Sequence, residues 1–586
     1  MIFFYGLSYR NALLFEEFIY CQSYARIVAI MSIEQAKQWS EHDPDPTTRA
    51  EINALLENPD LLADRFSGRL KFGTAGLRGL MGGGSNRINR AVILQTGAGL
   101  ATYMLKAVEQ AKSKGIVIGY DGRHGSKQFA QDTAAVFASK GFKIHQSSDV
   151  MATPVCAYAV TKFKAAGGVM VTASHNPPEY NGYKVYWENG AQIIPPHDKG
   201  IAACIEEAGW ADDILNACPK NFDSHVLDQE FIDSYLAEIL AALPKEKRAA
   251  TTVAYSGMHG VGHAFVKQTM DKLDFVTFES EKSQEKPDGD FPTVKFPNPE
   301  EPNAMDNVLA LGKNIDADVV MANDPDADRL AVAVKHKGQI HMLTGDQIGV
   351  LLADYMLQST FSKPVVATTI VSSQLLEKIA EDKGAECLTT LTGFKWIANA
   401  AMNHKAKHQS QFVMGYEEAI GYTIGETVKD KDGVSAAMMF AGMVGADKAQ
   451  NKGAMDRLEA IYKKHGIFVT SLVSKKIPGQ EGAKQILQMM EDARNNPPQR
   501  LCGTPLSKSL DLLEEGSGFP KSNVLIYKYE DGSRVIMRPS GTEPKIKFYY
   551  EVRQEVNESD SFETSYEQAN QKLNALEKAH QESLSS

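Results

Sequence analysis

The 586-residue chain is poor in cysteine and has no excess of positive charge. Its six cysteines lie far apart and form no Cys-x-x-Cys pair, which favours reduced thiols in a cytoplasmic protein. Lysine plus arginine number 62 against 73 acidic residues, so the net charge of −11 argues against nucleic-acid binding and requires any phosphate site to be locally basic. No stretch reaches the ~18 consecutive apolar residues of a membrane-spanning helix, so we expect no membrane partner.

The first 30 residues lack the features of a signal peptide. They mix apolar residues with charges, and they contain neither a basic start followed by an apolar block nor a small-residue cleavage site. An amphipathic helix is predicted to begin at Met31. We therefore expect residues 1–30 to be a mis-called N-terminal extension, and peptides from this stretch in protein made from its own promoter would contradict that expectation.

The motif Thr172–Pro177 places a small hydroxyl after a short apolar run. Gly168–Val171 predicts a buried strand, and the polar segment after it predicts the loop at the carboxyl end of that strand, where open α/β sheets bind ligands. Ser174 is the predicted nucleophile of this loop. An ordinary turn is the alternative, because Ser, Asn and Pro are common turn residues.

Three carboxylates follow the predicted strand Val319–Ala322. They occupy alternate positions, Asp324, Asp326 and Asp328, so that they can converge on one cation, and hard oxygen ligands suit Mg²⁺. An EF-hand is excluded, since its sixth loop position needs glycine and Arg329 stands there. The alternative is an acidic surface turn, although unpaired carboxylates this close repel one another.

Two further loops follow apolar runs. The segment Arg538–Pro544 offers a guanidinium group, two hydroxyls and a flexible glycine, which suits a phosphate, although Ser-Gly-Thr turns are also ordinary in hairpins. In the segment Gly415–Tyr422, Glu417 and Glu418 can accept hydrogen bonds from sugar hydroxyls. A helix start with acidic residues in its first turn is the alternative for this second loop.

With these four loops in their order along the chain, at residues 172, 324, 415 and 538, the sequence resembles the α-D-phosphohexomutases, the family of phosphoglucomutases and phosphomannomutases. The loops match its phosphoserine, metal, sugar and phosphate loops. Further motifs that carry the resemblance are Gly73–Gly79, Asn181–Lys184, Met258–Gly262, Thr392–Lys395 and Lys431–Gly433. The resemblance covers roughly residues 65–555.

The resemblance implies a phosphosugar mutase, in which phosphorylated Ser174 donates its phosphoryl group to a sugar monophosphate. The resulting bisphosphorylated sugar then returns its other phosphoryl group to Ser174. It implies one Mg²⁺ per chain, held by Ser174, Asp324, Asp326 and Asp328, and glucose 1,6-bisphosphate as activator. Catalytic roles are implied for Ser174, His175, Lys184 and Arg78, with Lys184 or His175 transferring the proton of the sugar hydroxyl. Substrate binding is implied for Arg329, Thr392, Gly393, Lys395, Glu417, Ala419, Lys431, Arg538, Ser540, Gly541 and Thr542.

Ala419 departs from the commonest family pattern, which has a serine two residues after the sugar-loop glutamate. The sequence Glu417–Tyr422 instead resembles the branch with phosphopentomutase-like and glucose 1,6-bisphosphate-forming members. We rank glucose 1-phosphate and glucose 6-phosphate first as substrates, with mannose or pentose phosphates as alternatives. A phosphatase and a non-catalytic sugar-phosphate binder rank lower. Both a monomer and a dimer are compatible with the sequence.

The expected fold is α/β, with three mixed-sheet α/β domains and a C-terminal α+β domain around a central cleft. Strands that alternate with helical stretches predict the first three domains, and a hairpin signal at Glu530–Ser533 predicts the change to α+β. The predicted limits after the extension are 31–222 for the phosphoserine domain, 223–342 for the metal domain, 343–468 for the sugar domain and 469–586 for the phosphate domain. The Pro-rich run Pro287–Pro302 receives no assigned chemistry.

Overall fold

The computed structural model describes residues 31–74, 76–477, 479–540, 545–556 and 561–584. The predicted extension 1–30 lies outside the described residues. Residues 31–42 are helical and bury Ala36 and Trp39 on one face, as the amphipathic pattern predicts.

The first sheet has six strands in the order β1-β5-β4-β2-β3-β6. The central pairs among β2, β3, β4 and β6 are parallel, whereas β5 runs antiparallel to β1 and β4. The strands are β1 Leu77–Leu80, β2 Ile116–Tyr120, β3 Ile144–Ser147, β4 Gly167–Val171, β5 Tyr180–Trp187 and β6 Ser224–Leu227. Helices around this sheet are Pro46–Leu55, Pro59–Arg65, Arg90–Ala107, Ala111–Lys114, Ser126–Ser139, Thr153–Lys162, His197–Glu206, Ala211–Asn216 and Gln229–Ala241.

The second sheet has five strands in the order β11-β10-β9-β7-β8. All four residues of its strand β9 are buried, which explains why this segment is a continuous apolar run. The strands are β7 Thr251–Ser256, β8 Val276–Ser280, β9 Val319–Ala322, β10 Ala331–His336 and β11 Gln339–Met342. The helices are Gly262–Met270 and Asp306–Asn314, with a 3₁₀ turn at Lys282–Gln284.

The third sheet has four strands in the order β13-β12-β14-β15. Its strands are β12 Pro364–Thr369, β13 Glu386–Thr390, β14 Gln411–Glu417 and β15 Gly421–Ile424. The helices are Gly345–Met356, Leu375–Asp382, Phe394–His408, Gly433–Ala449 and Ala454–His465. The helix-start alternative for Glu417 and Glu418 is wrong, because β14 and β15 pair antiparallel and these residues lie in the hairpin between them.

The fourth sheet is antiparallel throughout, in the order β16-β21-β20-β19-β18-β17. Its strands are β16 Ile467–Lys476, β17 Arg500–Leu501, β18 Thr504–Asp511, β19 Leu525–Tyr529, β20 Arg534–Pro539 and β21 Lys545–Gln554. The helices are Gly479–Asn495 and Phe562–Ser583. The predicted hairpin is confirmed, since β19 and β20 pair across Glu530–Ser533.

These sheets confirm the predicted fold class, with three mixed sheets followed by an antiparallel one. One continuous apolar core runs from the first sheet, at Val117, to the last helix, at Leu576. The residue limits of the four domains remain predictions. Among the described residues, no helix is both long enough and apolar enough to span a membrane.

Candidate active site

The predicted functional loops lie at strand ends of all four sheets. Ser174 follows β4, Asp324 follows β9, Glu417 is the last residue of β14, and Arg538 is close to the end of β20. Ligands of α/β sheets bind at the carboxyl ends of the strands, which is where the first three of these residues lie.

Ser174 is held in a strained conformation by its own loop. Its φ is +52°, in the left-handed region that serine rarely adopts, and its N–H donates to Thr172 Oγ1 at 2.8 Å. Its Oγ donates to Asp324 Oδ2 at 2.7 Å and lies 3.1 Å from His175 Nδ1. The segment does form a turn, closed by the Asn176 N–H donating to the Ala173 carbonyl at 3.2 Å, and that turn directs the Ser174 side chain at the second domain.

Asp324, Asp326 and Asp328 form a buried cluster, so the surface-turn alternative is wrong. Each is at most 1 % exposed, and one carboxylate oxygen from each lies within 4.8 Å of the others. Asp326 Oδ1 and Asp328 Oδ1 are buried without a hydrogen-bond partner. Because a buried carboxylate oxygen needs a partner, the donor set fits a divalent cation with a preference for oxygen.

The pKa values of Asp324 and Asp328 are shifted in opposite directions within this cluster. Burial, together with the charges of Asp328 and Asp326, raises the pKa of Asp324 to about 8. Burial acts in the same direction on Asp328, but the nearby cations Lys184, Lys431 and Arg329 outweigh it and hold the pKa of that carboxyl well below its usual range.

Three cations surround the aspartates. Lys184 Nζ donates to Asp326 Oδ2 and to Asp328 Oδ2, both at 2.7 Å. Lys431 Nζ lies 3.2 Å from Asp328 Oδ2, and Arg329 Nε lies 4.0 Å from Asp324 and 3.9 Å from Asp328. Burial alone would lower the pKa of Lys184, but the two carboxylates raise it above its ordinary value. The overall acidic chain thus places three cations beside three carboxylates at this site.

His175 and Arg78 flank the nucleophile. The pKa of His175 is held well below its usual value by burial and by the charges of Arg329 and Arg78, so its imidazole is neutral. Arg78, on strand β1, is exposed to the cleft and donates from Nη1 to Asn176 Oδ1 at 3.1 Å. Both predicted catalytic residues therefore lie beside the Ser174 loop.

The sugar-loop residues meet residues of a neighbouring helix start. Glu417 Oε1 accepts a 2.7 Å hydrogen bond from the N–H of Gly393, whose φ of +118° favours glycine. Lys395 Nζ donates to Thr74 Oγ1 of the first domain, and Thr392 Oγ1 is buried without a partner. Ala419 is half-buried in the hairpin. These groups form a polar surface suited to sugar hydroxyls.

Glu418 differs from its neighbour. It accepts from Ser372 Oγ at 3.0 Å, on the side of the fourth sheet, where Arg534 donates to the carbonyl of the same Ser372. Burial and the charge of Glu417 raise the pKa of Glu418 to about 7. The two adjacent glutamates thus contact different parts of the protein, Glu417 the Gly393 backbone and Glu418 the Ser372 side chain, and the sequence does not distinguish them.

The phosphate loop is only partly described. Arg538 pairs with Lys547 across β20 and β21, and the N–H of Ser540 donates to the carbonyl of Lys545 at 2.7 Å. Burial lowers the pKa of Lys395; the charges of Glu417 and Asp198 oppose that effect, and the charge of Arg538 adds to it. The predicted ligands Gly541 and Thr542 lie outside the described residues.

Sequence reasoning missed several residues of this site. Thr153 Oγ1 donates to Asp326 Oδ2 at 2.6 Å, and Glu300, in the Pro-rich run, lies 3.4 Å from Arg329 Nη1. Arg123 contacts the backbone of the Ser174 loop. Only Arg123 had a sequence signal, since Gly122-Arg123 comes just after the apolar run that forms β2, at the same sheet edge as Ser174.

Comparisons with known proteins agree with this architecture. Family models described as phosphoglucomutase/phosphomannomutase alpha/beta/alpha domains I, II and III match residues 69–212, 229–338 and 344–465, and the model of the C-terminal domain matches 475–563. A phosphopentomutase from Homo sapiens is 35% identical over 589 residues, covering 94% of this chain and 95% of that protein. A probable phosphomannomutase from Haemophilus influenzae is 40% identical over 472 residues, covering 80% of this chain and 93% of that protein.

A solved structure supports the fold. The phosphoglucomutase/phosphomannomutase family protein from Burkholderia thailandensis superposes with a TM-score of 0.64 at 17% identity, covering 88% of this chain and 98% of that one. With all four family domains present in order and relatives above 30% identity over most of their length, the chain belongs to the α-D-phosphohexomutase family and is a sugar-phosphate mutase.

Proposed function

We propose that this mutase interconverts glucose 1-phosphate and glucose 6-phosphate through phosphorylated Ser174 and a bisphosphorylated sugar. The observation that carries the proposal is the 2.7 Å hydrogen bond from Ser174 Oγ to Asp324 Oδ2, inside a buried carboxylate cluster. A serine without another role has no reason to lie strained and buried against three carboxylates. Phosphoryl transfer needs such positioning and charge neutralisation more than covalent activation.

One Mg²⁺ is proposed to bind to Ser174, Asp324, Asp326 and Asp328. The unpartnered oxygens Asp326 Oδ1 and Asp328 Oδ1 support this assignment. When bound, the ion neutralises charge on the oxygens of the transferring phosphoryl group. The cations Lys184, Arg329 and Lys431 supply fixed positive charge beside it.

His175 is the better-placed candidate for proton transfer. Its Nδ1 lies 3.1 Å from Ser174 Oγ, so it is within hydrogen-bond reach of this oxygen when the serine attacks as a hydroxyl or leaves as one. Lys184 has its ammonium between two carboxylates at 2.7 Å each, which directs it at the aspartates. Arg78 is proposed to contact the phosphoryl group from the cleft side.

The remaining residues are proposed to hold the sugar phosphate in either of two orientations. Glu417 accepts hydrogen bonds from sugar hydroxyls, and Lys395 and Thr392 present donors beside it. Gly393 binds Glu417 through its N–H, Ala419 lies in the same hairpin as Glu417, and Lys431 Nζ lies over the ring of Phe394, next to Gly393. Arg538, Ser540, Gly541 and Thr542 are assigned to the phosphate that is not transferred, because the intermediate must be retained while it turns.

Pentose phosphate is the second candidate substrate. The observation that favours it is the human phosphopentomutase, which is 35% identical along almost the full length of both chains. Mannose phosphate has the support of the Haemophilus influenzae relative. A hydroxyl missing at Ala419 changes discrimination by about 1–3 kcal/mol, so it tunes the preference among these sugars without deciding it.

The test compares the 1-phosphates of glucose, mannose and ribose with purified protein, Mg²⁺ and glucose 1,6-bisphosphate. Isomerised sugar phosphate and free phosphate are followed together, with the Ser174→Ala variant in parallel. Isomerised glucose phosphate that depends on Ser174 supports the proposal. Full activity of Ser174→Ala overturns the nucleophile, a ribose preference overturns the glucose ranking, and free phosphate alone indicates a phosphatase.

A further inference from the structure

Arg123 is a buried arginine that no predicted motif includes. It lies three residues after β2, at the same sheet edge as the Ser174 loop, and is only 4 % exposed. A buried guanidinium needs many acceptors, and proteins use arginine where several must be bound in a fixed geometry. The acceptors of Arg123 therefore indicate what it does.

All of its strong acceptors are backbone carbonyls of the segment 174–180. Its Nη2 donates to the carbonyl of Ser174 at 2.6 Å and also to that of Asn176. Its Nη1 donates to Pro177 at 2.9 Å and to Tyr180 at 3.2 Å. One side chain thus binds the carbonyl of the nucleophile and three carbonyls that follow it.

Arg123 is itself fixed from two other sides. Asp121 Oδ2 lies 3.4 Å from its Nε, and Asp121 Oδ1 accepts from the Arg123 N–H at 3.0 Å. The ring of Phe291 faces the guanidinium at 4.9 Å. Phe291 belongs to the Pro-rich run of the second domain, to which the sequence assigns no chemistry.

The Pro-rich run packs closely on the Arg123 turn. His124 Nε2 contacts Asp290 Oδ1 at 2.7 Å, and a Cβ at Gly122 would lie 2.7 Å from Pro287. Farther along, the ring of Phe296 lies 6.1 Å from His175. The run therefore joins the Arg123 turn of the first domain to the side of the cleft that holds the metal loop.

We propose that Arg123 is a positioning residue for phosphoryl transfer, which holds the Ser174 loop in its strained form with Phe291 covering the guanidinium. The inference rests on the proposed role of Ser174 as nucleophile. Ser174 has φ +52°, so its loop needs outside support to keep Oγ on Asp324. Misplacement of a reacting atom by ~1 Å costs about 100-fold in rate, so loosening this loop slows transfer.

The chain offers a matched control in Arg248, a largely buried arginine whose partners Pro244, Glu246, Tyr355 and Gly442 are not proposed site residues. Its side chain is 9% exposed, it donates to the carbonyls of Pro244 and Gly442, and it lies over the ring of Phe275 at 5.3 Å. Arg248→Lys therefore reproduces the loss of a buried guanidinium that binds carbonyls, without touching the Ser174 loop.

The experiment compares Arg123→Lys, Arg123→Met and Arg248→Lys. Rapid-quench phosphorylation of Ser174 by glucose 1,6-bisphosphate, steady-state kcat and KM, and thermal unfolding are measured for each. We expect kcat and the phosphorylation rate to fall about 10- to 100-fold in Arg123→Lys and further in Arg123→Met, with KM within about threefold. Arg248→Lys should keep the wild-type kcat even if its unfolding temperature falls as much as that of Arg123→Lys.

Wild-type phosphorylation rates in both Arg123 variants overturn the inference, and so does an equal fall of kcat in Arg248→Lys. If Arg123 variants do not fold, Phe291→Leu keeps the apolar volume and removes the aromatic face. We then expect kcat to fall about three- to tenfold with KM unchanged, and an unchanged kcat overturns the inference. Failure of the proposed function is distinguishable, because Ser174→Ala would then remain active.

Discussion

Ser174 Oγ donates a 2.7 Å hydrogen bond to Asp324 Oδ2 across the boundary between the first and second sheets. The two residues are 150 positions apart, and each follows the carboxyl end of a buried strand. Lys184, from β5 of the first sheet, adds ion pairs to Asp326 and Asp328 across the same boundary. The candidate site is therefore also a polar contact between these two parts of the chain.

Removal of divalent cations is expected to abolish mutase activity and to destabilise the protein. Chelation leaves three buried carboxylates to repel one another, and added Mg²⁺ should restore activity and raise the unfolding temperature, since saturation at 100 times Kd stabilises by about 2.7 kcal/mol. Asp328→Asn should require at least about tenfold more Mg²⁺ for half-maximal activity, which corresponds to a loss of about 1.4 kcal/mol in the free energy of Mg²⁺ binding. Activity and thermal unfolding are titrated with Mg²⁺.

Asp316→Asn is the matched control for this prediction. Asp316 is in the same domain, its side chain is 80% exposed, and it pairs with Lys335 on the surface. Its Mg²⁺ titration should coincide with that of the wild type. A titration of Asp328→Asn that coincides as well would contradict the proposed metal loop.

Glu417→Gln is expected to reduce kcat/KM for the sugar phosphate by about 10- to 100-fold, because a hydrogen bond to a charged group contributes about 1.5–3 kcal/mol. The glutamine retains an acceptor for the Gly393 N–H, so the hairpin should persist. Steady-state kinetics measure the effect. Glu418→Gln makes the same substitution one residue away, but Glu418 faces Ser372, so this variant should reduce kcat/KM much less. Equal losses would contradict the separate roles of the two glutamates.

Ala419→Ser is expected to raise kcat/KM for hexose phosphate relative to pentose phosphate by about threefold to tenfold, because the new hydroxyl can bond a sugar hydroxyl that the hexose carries. Competition assays with glucose 1-phosphate and ribose 1-phosphate in one mixture measure the ratio directly. Ala419→Cys has a similar size and only a weak donor, and it should leave the ratio near the wild-type value. The same shift in both variants would indicate an effect of side-chain volume.

Much of this site was predictable, because its motifs are local and each follows an apolar run. Ser174, the three aspartates and Glu417 lie at strand ends in both the prediction and the structure. Arg123, Thr153 and Glu300 were not predicted as site residues, since their roles depend on contacts with loops 29 to 173 positions away. The different surroundings of Glu417 and Glu418 likewise arise from packing between sheets, which periodicity does not encode.

His580 is expected to make the free energy of unfolding decrease as the pH is lowered below neutrality. It is buried in the last helix with Nδ1 2.8 Å from Tyr550 Oη, and Nε2 has no partner among the described residues. Burial lowers the pKa of His580 to about 4, from an ordinary value of 6.5. Between these values the unfolded chain binds a proton that the folded chain does not, so stability is lost as the pH falls through this window.

At about pH 5 the loss at this residue amounts to about 2 kcal/mol relative to about pH 7.5, from 1.36 kcal/mol per pKa unit. His580→Asn keeps a polar partner for Tyr550 and removes the titration, so its free energy of unfolding should fall by about that much less over the same interval. Urea unfolding at several pH values measures the two slopes, and His408→Asn, at an exposed histidine, should follow the wild type. Parallel curves for wild type and His580→Asn would show that burial of this imidazole does not set the acid sensitivity.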